Sequence, residues 1–235
     1  MQQVRAFEFL SKRFPKILES EVVSTTFSTF AKGNGTTTKD GTIHRRLSIA
    51  QRDITLEETD AIVNPANSRL RHGGGLARII SSKGGPTINE VSRQIIQESG
   101  EVPTGGAVYA PPGDLVCGGL IHAVGPIYAD YPAPESERLL RQAIRSIWGL
   151  SGSQGLTSVS IPAISSGIFG YPKQKCGEHI LSELMELMLQ EGIPSQDGDE
   201  EMERNSLEYV RITILDNETL DPFVEAFKRV FSPED

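Results

Sequence analysis

Positive charge is scarce in this chain: 23 Lys and Arg stand against 31 Asp and Glu, for a formal net charge of −8 over 235 residues. Non-specific binding to DNA or RNA needs many cationic side chains that neutralise phosphates together, so general adhesion to nucleic acid is excluded as a main function. Cysteine is scarcer still. Cys117 and Cys176 lie far apart, which makes no disulfide framework and suits a reducing compartment. No apolar run approaches the ~20 residues that span a bilayer, and the opening MQQVRAFEFLSKRF lacks the continuous apolar stretch of a signal peptide. Metal-ligand spacing is missing too, because Cys117 and His122 make half a zinc set and no second pair follows. These absences lead us to expect an intracellular protein, cytoplasmic or nuclear, monomeric, with no membrane partner, no metal and no cofactor.

A deficit of positive side chains does not exclude a small phosphate ligand. Backbone N–H groups at a helix N-terminus hold an anion without any cation. The sequence is well supplied with the glycines that such a site uses.

Residues 1–44 read as an N-terminal extension: an amphipathic helix over 4–19 interrupted by Pro15, then a flexible Gly/Thr/Asn-rich loop at 33–42. The domain proper is expected over 45–235. Within it short apolar runs at 61–63, 107–109, 120–124, 159–162 and 210–215 read as strands. Helical periods lie between them, carried by Leu76, Ile79 and Ile80, by Ile88, Val91 and Ile95, by Leu140, Ile144 and Ile147, by Ile180, Leu184, Leu187 and Met188, and by Leu220, Phe223, Val224 and Phe227. Such alternation predicts a three-layer α/β/α domain with a mixed, mostly parallel central sheet, and a ligand crevice outside the carboxyl ends of the strands. Tyr109, Trp148, Phe223 and Phe227 read as core. Residues 194–206 (PSQDGDEEMERNS) read as an acidic, solvated loop inserted before the last strand.

Two segments carry the chemistry. In the first, strand Ala61-Ile62-Val63 runs into Asn64-Pro65-Ala66-Asn67, then Ser68-Arg69-Leu70-Arg71-His72, and Gly73-Gly74-Gly75-Leu76-Ala77 opens a helix. Glycine lets a ligand approach the main chain, and the first helical turn offers unpaired N–H donors with a favourable dipole. Neither GxGxxG nor Gly-Lys-Ser/Thr is matched, and the glycines alone would equally serve close helix–strand packing. In the second, strand Ile161-Pro162 leads through Ala163-Ile164-Ser165-Ser166-Gly167-Ile168-Phe169-Gly170 into another helix. Two such turns on one sheet edge can clasp a diphosphate from both sides.

Asp53-Ile54-Thr55, the run 61–77, Leu120-Ile121-His122-Ala123-Val124-Gly125-Pro126 and the run 161–172, in this order, resemble a macrodomain over residues 45–231. The likeness is strongest to the first macrodomain of the macrodomain-containing mono-ADP-ribosyltransferases. It implies ADP-ribose as ligand or product, and ADP-ribosylated proteins as partners. Asp53 would accept from the adenine amino group, with the Ile54 N–H nearby. Asn67 would bond the distal ribose, and Asn64 would brace the turn. Gly73, Gly74, Gly75 and Leu76 would line one side of the diphosphate, with Ser165, Ser166, Gly167, Ile168 and Phe169 on the other. Leu215 and Asp216 occupy the place where an aromatic often stacks on adenine.

A frequent hydrolase version of the fold has an acidic residue directly after the Gly-Gly-aliphatic triplet, where this chain has Ala77. Catalysis without that base would rest on Asn67, Gly74, Gly167 and Phe169 around a water attacking C1″, and would suit a carboxylate leaving group whose conjugate acid has a pKa of about 4. The resemblance thus implies hydrolysis of mono-ADP-ribose from acidic side chains. A non-catalytic reader and a nucleotide-binding scaffold are the alternatives. His72 is weighed as a proton relay against a loop cap or a solvent-facing residue, and His122 as a satisfied core histidine.

Overall fold

The computed structural model describes residues 21–30, 42–190 and 205–231. The helix expected over 4–19 and most of both the Gly-rich loop and the acidic insertion lie outside these residues. Seven strands form one sheet: β1 (Glu21–Phe30), β2 (Thr42–Gln51), β3 (Ala61–Pro65), β4 (Ala107–Ala110), β5 (Leu120–Ala123), β6 (Ser158–Ile161) and β7 (Tyr209–Ile214), in the order β1-β2-β7-β6-β3-β5-β4. The five central strands are parallel, and β1 and β4 close the edges antiparallel. The sheet is mixed and mostly parallel, as expected.

Five helices are described: α1 (Gly75–Gly84), α2 (Pro86–Ser99), α3 (Ala133–Ser153), α4 (Lys173–Gln190) and α5 (Asn217–Phe231). On one face Leu47, Ile49, Val159, Ile161, Val210 and Ile212 of the strands pack with Ile144, Ile147 and Trp148 of α3, Ile180 and Leu184 of α4, and Phe223 and Phe227 of α5. On the other, Ile62 and Leu120 meet Ile80 of α1 and Ile88 of α2. Gly85, at φ +74, ends α1, and Pro86 starts α2 without a break in packing.

Two strands lie where the sequence reading has none. β1 falls inside the expected extension and pairs with β2 along its length, so residues 21–30 belong to the sheet. β2 is masked in sequence by His44-Arg45-Arg46, charged residues that a strand face is not expected to bury. They are buried because they find partners: Arg46 is bonded to Glu21 and Ser24, and Arg45 Nε donates to the Leu207 carbonyl at 3.1 Å. Further along the same sheet, Arg211 Nη1 lies 3.1 Å from both oxygens of Glu57, with side-chain exposures of 0% and 1%. Both members of that pair are fully desolvated, and removing either leaves an uncompensated buried charge.

Candidate functional site

Because β2, β7, β6, β3 and β5 run parallel, their carboxyl ends share one edge, and the segments that follow them stand there in sheet order. Asp53 follows β2, Leu215 and Asp216 follow β7, the 163–170 segment (loop two) follows β6, and the 66–75 segment (loop one) follows β3. Three strand spacings separate the end of β2 from that of β3, about 14 Å. The segments that carry the singled-out residues therefore stand side by side along one edge of the sheet.

Loop one is tied down by side chains. Asn67 Oδ1 accepts from the N–H groups of Arg69 and Arg71 at 3.1 and 3.0 Å, and its Nδ2 donates to the Arg71 carbonyl at 2.7 Å. Asn64, fully buried, donates to His122 Nδ1 at 2.9 Å and approaches His72 Nδ1 at 3.3 Å, while His72 Nε2 meets Ser92 Oγ of α2 at 2.9 Å. The two imidazoles stack with centroids 5.1 Å apart. Bracing is thus shared by both asparagines, where the sequence reading gives it to Asn64 alone. His72 does not face solvent: it is 8% exposed, and burial lowers its pKa. Burial and the neighbouring His72 push His122 down to about 3, so it stays neutral at any ordinary pH.

Loop two is held by its own backbone. Ser166 N donates to Ala163 O, Gly170 N to Gly167 O and Tyr171 N to Ser165 O, at 3.2, 2.9 and 2.9 Å. Ser165 adopts φ +67, a left-handed conformation unusual for a residue with a side chain, and is almost buried. A Cβ at Gly125, in the segment after β5, would fall 2.2 Å from Ser165 Oγ, so glycine there is required. Phe169 is half-buried, and its carbonyl accepts from Tyr128 N at 2.9 Å, which joins loop two to that same segment.

The loops meet. Cβ atoms built on Gly74 and Gly75 would lie 3.2 and 3.1 Å from Ile168 Cδ1, and Gly75 sits at φ +54. Ile168 is otherwise 77% exposed, an apolar tip resting on the glycines. Among the described residues, the N–H groups of Gly73, Gly74, Gly75 and Leu76 on one side, and of Gly167, Ile168 and Phe169 on the other, donate to no backbone carbonyl. Gly74 caps α1 with no side-chain bond, and no acidic residue sits in the first turn. The result is a cluster of free amide donors at a positive helix end, suited to an anion with several oxygens.

At the far end, Asp53 Oδ1 accepts from Thr55 N and Oγ1 at 2.9 and 2.8 Å, and no hydrogen bond to Oδ2 occurs among the described residues. Ile54 is buried beneath it. Leu215 is 64% exposed, and Asp216 Oδ1 caps α5 through Thr219 N at 2.8 Å. Ala77 is buried in α1 and offers no base. No group of three or more His, Cys, Asp or Glu suited to a metal occurs among the described residues, and no described helix is long and apolar enough to cross a membrane.

Comparison with known proteins gives a consistent picture. The Macro domain family matches residues 63–180. The chain is 34% identical over 185 residues to the human protein mono-ADP-ribosyltransferase PARP14, covering 79% of this chain but 10% of that one. It is 37% identical over 151 residues to an O-acetyl-ADP-ribose deacetylase of Salmonella gallinarum, covering 64% of this chain and 84% of the relative. It also spans 28% of an uncharacterized Thermotoga maritima protein that is 40% identical over 183 residues. A macrodomain of Oceanobacillus iheyensis solved with ADP superposes with a TM-score of 0.72 at 24% identity, covering 90% of this chain and all of that one, a likeness of fold.

Proposed function

Because the chain belongs to the Macro domain family, we propose that it binds ADP-ribose along this rim and hydrolyses mono-ADP-ribose from acidic side chains of modified proteins. The observation that supports the reading is the set of seven amides, from residues 73–76 and 167–169, that donate to no backbone carbonyl in two loops that meet at Ile168. A diphosphate between them accepts hydrogen bonds from both loops without any Lys or Arg. Asp53 Oδ2 and the Ile54 N–H then read the adenine amino edge, and Leu215 and Asp216 flank the base. The remaining N–H of Asn67 Nδ2 reaches the distal ribose, while Asn64 works from beneath.

For turnover, a water held by the ligand's phosphate and by loop amides attacks C1″. The bond from C1″ to the carboxylate oxygen breaks, its electron pair leaves with the carboxylate, and the water's proton passes to a phosphate oxygen and then to solvent. No general acid is needed, because the leaving carboxylate is stable at neutral pH. Positioning and amide stabilisation of developing charge supply the rate. An ester of ADP-ribose is also what the deacetylase relative is named for. A reader that binds without turnover is the second reading, favoured by Ala77 and by the acid-free first turn of α1.

Glu-linked, Ser-linked and Arg-linked mono-ADP-ribosylated substrates, incubated side by side, test the reading. We expect release from the Glu-linked substrate and none from the Arg-linked one. Binding without any release would make the protein a reader, and absence of ADP-ribose binding by calorimetry would overturn both.

A further inference from the structure

Beside loop one lies a hollow of about 370 Å³ lined by Arg69, Arg71, Arg93, Ile96, Gln97 and Glu101. Two elements build it, the Asn67–Arg71 turn and the outer face of α2. They are held together by the His72–Ser92 hydrogen bond and by Val102 N donating to Ser68 O at 2.9 Å. The same tether that fixes the glycines therefore fixes Arg93 next to Arg71. Arg69 is paired with Glu101 at 2.7 Å, on side chains 60% and 53% exposed. Arg71 and Arg93 are exposed; Arg71, behind Arg69, helps hold the Glu101 carboxyl below its ordinary pKa, and no ion pair joins Arg93 to a described residue. Three guanidiniums against one carboxylate give the hollow positive charge in a chain whose net charge is −8. Half-buried Ile96 supplies an apolar floor.

We propose that this hollow receives an acidic stretch of the modified protein, with its carboxylates on Arg71 and Arg93 and an aliphatic stem on Ile96. The inference rests on the function proposed above. Arg71 stands between Asn67, which faces the distal ribose in that reading, and Gly73, so a polypeptide joined to C1″ leaves the crevice past this turn. Guanidinium matches carboxylate in a two-point geometry. A nucleic-acid strand fits less well. Its affinity needs many phosphates neutralised, and here one of three cations is already paired and the rest of the molecule is acidic.

The test uses two peptides of equal length, each carrying ADP-ribose on one side chain through a non-hydrolysable amide, one with Asp/Glu flanks and one with Gly/Ser flanks. Binding of both, and of free ADP-ribose, is measured to the full chain and to a double variant, Arg71→Glu with Arg93→Glu. In the unaltered protein the acidic peptide should bind about five-fold tighter than the neutral one at low salt, as two exposed ion pairs allow. That advantage, read as the ratio of the two peptides' affinities, should vanish in the variant and in salt of about 0.5 M, while free ADP-ribose still binds the variant. Equal affinity for the two peptides, an advantage that survives in the variant, or preferential capture of a single-stranded oligonucleotide by the same arginines would overturn it. Failure of free ADP-ribose to bind would instead bring down the underlying function, and the inference with it.

Discussion

Loop one and loop two meet at Ile168 but are built by opposite means. Loop one is flexible in composition, with three consecutive glycines, yet it is anchored from below by Asn64, Asn67, His72 and His122. Loop two has fewer glycines and few side-chain anchors; short backbone turns and a strained Ser165 hold it. An amide cluster can thus be aimed either by side chains acting on a permissive backbone or by a backbone folded on itself. The first arrangement puts its stability in buried polar groups, and the second puts it in conformation.

The largest effect should come from charge placed where the loops meet. Gly74→Glu adds a carboxylate at the amide cluster and bulk against Ile168, and should lower ADP-ribose affinity by at least about 100-fold, several kcal/mol of like-charge repulsion against a phosphate. Calorimetry showing unchanged affinity would remove loop one from the site.

Next is the anchor. Asn64→Ala strips the hydrogen-bond partner of His122 Nδ1 in a fully buried position, and should cost about 1–3 kcal/mol in urea unfolding. Ser166→Ala, which removes only the bond from Ser166 Oγ to Ala163 O at the half-buried edge of loop two, should cost less. Equal losses would erase the contrast between the two designs.

The anchor also has a pH signature. His122 is neutral when folded, with its pKa lowered to about 3, whereas the unfolded chain takes up that proton near pH 6.5. Stability is therefore fully present above pH 6.5 and falls on acidification, by about 2 kcal/mol between pH 6.5 and 5. Unfolding free energies that stay flat across that window would show the imidazole to be hydrated.

The smallest effect distinguishes the glycines. Gly75→Ala must hold alanine at φ +54 and should cost about 1 kcal/mol, while Gly167→Ala, with nothing within 4 Å of the added carbon, should be nearly neutral. Thermal melts of the pair measure the difference.

What could be read from sequence follows the same division. Strands β3 to β7, the five described helices and both glycine loops announce themselves through local pattern, since apolar periods and strand–glycine–helix transitions are contiguous. β2 did not, because Arg45 and Arg46 look like surface until Glu21 and the Leu207 carbonyl are brought beside them. Nor did the Glu57–Arg211 pair, whose members lie 154 residues apart. His72 was visible as a titratable residue next to the glycines, but its partner Ser92 lies one helix further on, so neither its burial nor its lowered pKa could be inferred locally. Contacts made by the fold stay hidden in a linear reading, whereas the two loops proposed to bind through the main chain do not, because glycine marks them.

The central claim is that amides from both loops grip one diphosphate, and backbone amide NMR during titration with ADP-ribose tests it most directly. The account predicts that the resonances of residues 73–76 and 167–169 shift together, saturating at one ligand concentration, and that adenosine, which lacks the phosphates, leaves both sets in place. Shifts confined to a single loop, or gathered elsewhere on the surface, would contradict it.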